Sequence, residues 1–246
     1  MGMLDGRVAL VTGGSKGLGR ALCKTLAREG AKVAFNYSKS EAEARAVEEE
    51  IAKAGGQAKG FKVSVLDKKG LWDMVREVEK PFGVIDVLVN NAGVSQAVPL
   101  ALMEEEDWDL LMDVNVKGTF LASQAVLRGM VRLNRGRILN IGSLAGVKMI
   151  PAPVHYCTAK AAIKGFTESL AKEVARYGIT VNCLAPGVLD EGVANHIPAN
   201  RLDEYLQHCA IGRPGKVEEI ADLVAFLVSD KNSYMNGATI IVDGAV

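Results

Sequence analysis

Tyr156 and Lys160 stand four residues apart in His155-Tyr156-Cys157-Thr158-Ala159-Lys160, at the start of a long apolar segment with a helical pattern. On a helix that spacing puts a phenol and an ammonium on one face. A phenol with an ordinary pKa of about 10 is a poor acid-base catalyst at neutral pH, and a neighbouring cation is the simplest way to favour its ionised form. The pair suggests proton transfer, although one Tyr and one Lys on a helix are more often plain surface residues. Other residues must decide. Ser143 lies thirteen residues before Tyr156, at the C-terminal end of the apolar run 137–142. Open α/β sheets bind ligands at that end. Asn115, with Asp107 and Lys117, breaks the apolar face of the amphipathic segment 104–133. Asn inside a helix is unfavourable unless its side chain has a task.

The elements that position these residues begin with the run 7–11 (RVALV), followed by Thr12-Gly13-Gly14-Ser15-Lys16-Gly17-Leu18-Gly19 and the helical pattern Ala21, Leu22, Thr25, Leu26. This reads as strand, glycine turn, helix. Such a turn brings backbone N–H groups at a helix N-terminus against a pyrophosphate, although ordinary tight turns also need glycine. Further strands are expected at 32–37, 58–65, 84–90, 137–142, 179–184 and 239–242. Helices are expected at 41–54, 68–78, 104–133, 153–177 and 217–228. The alternation predicts an α/β fold, a Rossmann-like doubly wound parallel sheet of about seven strands with helices on both faces. A single domain is expected over 1–246.

Asn90-Asn91-Ala92-Gly93 ends the fourth strand with amides and small residues, which let a cofactor approach and tie strands together, or simply form a turn. The second strand ends in Tyr37-Ser38-Lys39 with no carboxylate for a ribose 2′-hydroxyl, and Lys16 lies in the glycine loop. NADP(H) is therefore favoured over NAD(H). Alternatively, Lys16 and Lys39 are only solvated charges. Residues 188–213 lack strong periodicity apart from a short helix at 202–208, and a lid over a pocket is expected there.

A chain of 246 residues with 49% hydrophobic residues is long enough for a large core, and its formal charge of zero gives no electrostatic support for nucleic-acid binding. Cys23, Cys157, Cys183 and Cys209 are scattered without metal-like spacing and read as reduced, buried thiols. No metal site is expected. There is no signal-peptide pattern and no apolar run near the ~20 residues that span a bilayer, so a soluble cytoplasmic protein without membrane contact is expected.

TGGSKGLG at 12–19, NNAG at 90–93, Asn115, Ser143 with Tyr156-xxx-Lys160, and Pro186-Gly187 occur in that order. In these features the chain resembles the short-chain dehydrogenase/reductase family over essentially its whole length. Within that family it is most similar to the 3-oxoacyl-[acyl-carrier-protein] reductases. The resemblance implies NADPH-dependent reduction of a 3-oxoacyl thioester, linked to acyl carrier protein or CoA. Tyr156 would protonate the carbonyl oxygen, and Ser143 would donate a hydrogen bond to it. Lys160 would hold the nicotinamide ribose and lower the Tyr156 pKa, and Asn115 would bind a water that links Lys160 to solvent. Gly13, Ser15, Lys16, Gly17, Leu18, Gly19, Tyr37, Ser38, Lys39, Ser64 and Val65 would hold the adenosine end. Asn91, Ala92 and Gly93 would hold the middle of the cofactor, and Pro186, Gly187 and Val188 the nicotinamide amide.

Two departures from the family pattern stand out. Ser64 replaces an Asp near the end of the third strand, which would weaken adenine contacts. Val188-Leu189-Asp190-Glu191 stands where a Thr is common, so that loop either points away from the phosphates or serves substrate recognition. The resemblance also implies an acidic carrier protein docked on Arg128, Arg132 and Lys172, residues that would otherwise be ordinary solvated positions. It further implies a homotetramer built on the two long helices. Rival readings are an enzyme for another alcohol or ketone, such as a cyclic hydroxyacyl-CoA, a sugar or a steroid, and a non-catalytic nucleotide-binding regulator. The proton-relay residues argue against the regulator.

Overall fold

The computed structural model describes residues 2–192 and 199–246. Its strands are β1 Val8–Val11, β2 Lys32–Tyr37, β3 Gln57–Lys62, β4 Val87–Asn90, β5 Gly136–Ile141, β6 Ile179–Pro186 and β7 Thr239–Val242. They form one parallel sheet in the order β3-β2-β1-β4-β5-β6-β7. The helices are α1 Gly17–Arg28, α2 Glu41–Lys53, α3 Lys68–Phe82, α4 Glu105–Met112, α5 Gly118–Leu133, α6 Val154–Val174, α7 Ala199–His208 and α8 Val217–Leu227. This is the expected Rossmann-like arrangement.

Strand β1 is apolar and buried at every position because both faces of the sheet are covered. Ala9 and Val11 of β1 pack with Leu22 of α1, Val47 of α2 and Val224 of α8. Val8 and Leu10 point the other way, into a second core with Leu71 of α3, Val126 of α5 and Val174 of α6. Strand order reverses between β1 and β4, and the crevice beyond their C-terminal ends is where such sheets take ligands. The glycine turn follows β1 and Asn91 to Gly93 follow β4, so both open on that crevice.

The structure differs from the sequence expectations in several places. Segment 104–133 is not one helix: a π-helical turn, Asp113–Lys117, separates α4 from α5. A π turn inserts an extra residue and turns a side chain off the regular path, and such turns are frequent at functional sites. The third strand ends at Lys62, so Ser64 and Val65 lie in the connection to α3. There the Ser64 hydroxyl accepts the Leu66 N–H at 3.2 Å. The helix expected at 68–78 continues through Pro81 to Phe82. β6 extends two residues further than expected, through Pro186, because that residue pairs in register with Val242 of the edge strand. Helix α6 stops at Val174 and a 3-10 turn, Ala175–Tyr177, follows. Cys23, Cys183 and Cys209 are buried, whereas Cys157 is only partly so. Of the expected lid at 188–213, positions 193–198 lie outside the described residues. Among the described residues no helix is long and apolar enough to cross a membrane.

Candidate active site

Ser143 follows β5 directly, and α6 returns over it with Tyr156 in its first turn. The Ser143 hydroxyl accepts the Ala145 N–H at 3.2 Å and hydrogen-bonds the Tyr156 phenol. One turn along α6, the buried Lys160 donates from Nζ to the Ile141 carbonyl at 2.9 Å, and that nitrogen lies 5.8 Å from the centre of the Tyr156 ring. Asn115 is buried in the π turn, where its Nδ2 donates to the carbonyls of Val94 and Leu111, both at 3.0 Å. Its Oδ1 is buried without a partner. A Cβ on Gly93 would lie 2.6 Å from that Oδ1 and 3.6 Å from Lys160 Nζ. A bare backbone at position 93 therefore lets the carboxamide oxygen and the ammonium face one space. The four expected catalytic side chains come together in an order running Ser143, Tyr156, Lys160, Asn115.

Burial sets the protonation of the central pair. It pushes the Tyr156 phenol above its ordinary value, with the Ser143 hydrogen bond pulling the other way. It lowers Lys160 to about 8. The expected depression of the phenol by Lys160 is thus absent in this structure: the ammonium lies over the ring, and the cost of removing a phenolate from water prevails.

The glycine turn is fastened from two sides. Thr12 Oγ1 accepts the N–H groups of Asn91 and Ala92 at 2.9 and 3.0 Å, and Asn91 Nδ2 donates to the carbonyls of Thr12 and Gly13. Asn36 Oδ1 accepts the Gly13 N–H at 3.2 Å while its Nδ2 donates to the Val63 carbonyl at 2.7 Å. Gly13 has a φ of +67°, and a Cβ on Gly19 would lie 2.1 Å from the Gly13 carbonyl oxygen. No side chain caps the start of α1 and no acidic residue sits in its first turn. Uncapped first-turn N–H groups with a positive dipole end fit the pyrophosphate of a dinucleotide. The residues present therefore suit a nicotinamide dinucleotide.

The remaining candidates are spread around this cradle. Ser15 is buried in the turn and Leu18 is partly buried against the core. Lys16 pairs with Glu43 of α2 at 2.8 Å, while Ser38 and Lys39 are exposed beside the partly buried Tyr37. Val65 is buried, and a Cβ on Gly118 would come within 2.8 Å of it. In the turn after β6, the Gly187 N–H donates to the Val242 carbonyl at 2.9 Å and the Val188 N–H donates to the Tyr205 hydroxyl at 3.1 Å. Asp190 accepts the Val217 N–H at 3.1 Å and so caps α8. Its carboxylate is therefore directed at a helix N-terminus, while the end of the same loop returns to the glycine turn, where a Cβ on Gly17 would lie 3.3 Å from Gly192 Cα. Arg128 stacks on Trp72 at 5.1 Å and Arg132 lies 4.0 Å from Glu79, both exposed on α5, and Lys172 is exposed on α6.

Sequence reasoning missed Thr12, Asn36, Asn140 and Thr167. Asn90 Nδ2 donates to Ser123 Oγ and Asn140 Oδ1, and Asn140 Nδ2 donates to Thr167 Oγ1 at 2.9 Å. This chain joins β4, β5, α5 and α6 beneath the site. A signal existed, since an Asn within an apolar parallel strand must find partners once buried.

The family model described as short chain dehydrogenase matches residues 7–202. The 3-oxoacyl-[acyl-carrier-protein] reductase FabG of Staphylococcus epidermidis is 40% identical over 238 residues, covering 97% of this chain and 98% of the relative. The Escherichia coli protein of the same name is 38% identical over 242 residues, 98% of each chain. Among solved structures, a short-chain dehydrogenase/reductase from Serratia marcescens superposes with a TM-score of 0.92 at 38% identity, covering 98% of each chain. A short chain dehydrogenase from Burkholderia cenocepacia in complex with NADP gives a TM-score of 0.91 at 36% identity, covering 99% of this chain and 98% of that one.

Proposed function

This chain belongs to the short-chain dehydrogenase/reductase family, and from that premise we propose that it reduces a 3-oxoacyl thioester to the 3-hydroxyacyl thioester with NADPH. The coarser class is an NAD(P)-dependent oxidoreductase acting on CH–OH groups, similar to 3-oxoacyl-[acyl-carrier-protein] reductases. The observation that carries the reading is the meeting of Ser143, Tyr156, Lys160 and the unpartnered Asn115 Oδ1 beside Gly93.

A bound nicotinamide supplies a hydride from its C4 to the carbonyl carbon. Tyr156 gives its proton to the carbonyl oxygen, so that C=O becomes CH–OH. A phenol whose pKa is raised by burial is fully protonated at neutral pH and suited to act as an acid. Ser143 donates a hydrogen bond to the same oxygen and stabilises the charge that develops there. Lys160 holds the nicotinamide ribose hydroxyls, and Asn115 Oδ1 holds a water that returns the proton through Lys160 to Tyr156. The turn at 12–19 and Asn91 to Gly93 cradle the pyrophosphate, with Pro186 to Val188 at the nicotinamide amide.

Lys16, Ser38 and Lys39 favour a 2′-phosphate, and a relative at 36% identity is in complex with NADP. In this reading Lys16 leaves Glu43 to reach the phosphate. The thioester is borne by acyl carrier protein or CoA. Arg128, Arg132 and Lys172 are the proposed contacts for the carrier, in a cytoplasmic homotetramer.

Steady-state turnover with NADPH and NADH, on 3-oxoacyl thioesters of CoA and of carrier protein and on cyclic, sugar and steroid ketones, tests this. NADPH-dependent reduction of the thioesters is expected. Preference for another ketone would select the rival enzyme reading, and cofactor binding without any turnover would select the regulator.

A further inference from the structure

Helix α6 carries Tyr156 in its first turn, where backbone N–H groups have no intrahelical acceptor. The residue at the cap position, Pro153, makes no side-chain cap bond. His155 takes over that role, since its Nδ1 accepts the Tyr156 N–H at 3.0 Å. Only an unprotonated ring nitrogen can accept, so the imidazole is neutral and carries its proton on Nε2. The ring is 0% exposed, and Nε2 is buried without a partner.

Gln96 and Asp107 form a second incomplete set. Gln96, in the segment after β4, donates from Nε2 to Asp107 Oδ1 at 3.1 Å, and its own Oε1 is buried and unpartnered. Asp107 Oδ2 accepts the Glu104 N–H at 3.2 Å at the start of α4, and Asp107 is the charge that acts on His155. His155 Nε2 and Gln96 Oε1 are thus both buried without partners, and the Asp107 charge acts on the imidazole. The Gln96–Asp107 bond ties the loop after β4 to the N-terminus of α4, and the Asp107 charge acts on the turn of α6 that bears the phenol.

We propose that His155 is a positioning residue for Tyr156, a neutral imidazole that caps the turn aiming the phenol. This rests on the reading of Tyr156 as proton donor. The charged group that acts on the ring is the Asp107 carboxylate of α4. Burial disfavours the imidazolium more than Asp107 favours it, so the ring titrates below its ordinary 6.5. Protonation would set an N–H on Nδ1 against the Tyr156 N–H and undo the cap. Activity should therefore have an acid limb that belongs to His155.

The test compares His155→Ala, which removes the acceptor, with His155→Asn, whose Oδ1 replaces Nδ1 and does not titrate. With NADPH and a 3-oxoacyl thioester, His155→Ala should lower kcat about tenfold to a hundredfold, the scale on which a misplaced group acts, while the Kd for NADPH stays unchanged. His155→Asn should recover most of kcat and lose the acid limb. Wild-type kcat and pH profile in His155→Ala, or an acid limb kept in His155→Asn, would overturn the proposal. Nitrogen-15 NMR of the wild-type holoenzyme reads the tautomer independently of turnover. A proton on Nε2 alone at neutral pH supports the cap, and one on Nδ1 refutes it. Failure of the wild type to reduce any carbonyl would instead overturn the role of Tyr156.

Discussion

Burial moves the two central groups in opposite directions, Tyr156 upward and Lys160 down to about 8. Both shifts bring the site to a state in which the phenol holds its proton at neutral pH. The ammonium is charged below about 8 and neutral above it. If Lys160 acts in its charged form, kcat/KM for reduction, which reports the free enzyme, should fall as pH rises through about 8. A fall only at the ordinary lysine value of 10.5 would contradict the assignment. The unfolded chain keeps this proton between about 8 and 10.5, so folding stability should gain from Lys160 as pH rises through that window. The Tyr156–Lys160 pair was legible in the sequence because helical spacing alone puts both on one face. The shifts were not, because they depend on how β5, α6 and the turn at Gly93 enclose the side chains.

Among the elements, the alternating strands and helices could be read from periodicity, and the glycine turn from its position after β1. The π turn could not. Asn115 was visible as a residue out of place in an apolar helix, but its two carbonyl partners, Val94 and Leu111, include one from a different element. The buried chain from Asn90 through Asn140 to Thr167 was hidden for the same reason. Asn140→Leu would strip partners from both Asn90 and Thr167, and an unpaired buried polar group costs about 1–3 kcal/mol. For a protein of this size each kcal/mol shifts Tm by roughly 2–4 °C. Thermal denaturation should show a clear loss of stability, and an unchanged Tm would mean that the chain contributes nothing.

At the scale of the whole molecule, the zero formal charge gave no support for nucleic-acid binding, and the order of motifs along the chain pointed to the family. The masses that assemble in solution are a separate matter. Leu110 of α4, Phe120 of α5 and Val154 of α6 are large apolar side chains left 43%, 44% and 46% exposed. A homotetramer built on these helices would cover them. Phe120→Glu should therefore shift the particle mass in light scattering from a tetramer toward smaller species. A wild-type monomer, or an unchanged mass in the variant, would contradict that assembly.

The central claim is that Tyr156 is the proton donor in an NADPH-dependent reduction. Single-turnover oxidation of bound NADPH by a 3-oxoacyl thioester, in the wild type and in Tyr156→Phe, addresses it most directly. The rate in the variant should be about 10²–10⁴-fold lower, with NADPH affinity unchanged. A variant that reduces the thioester at close to the wild-type rate would contradict it.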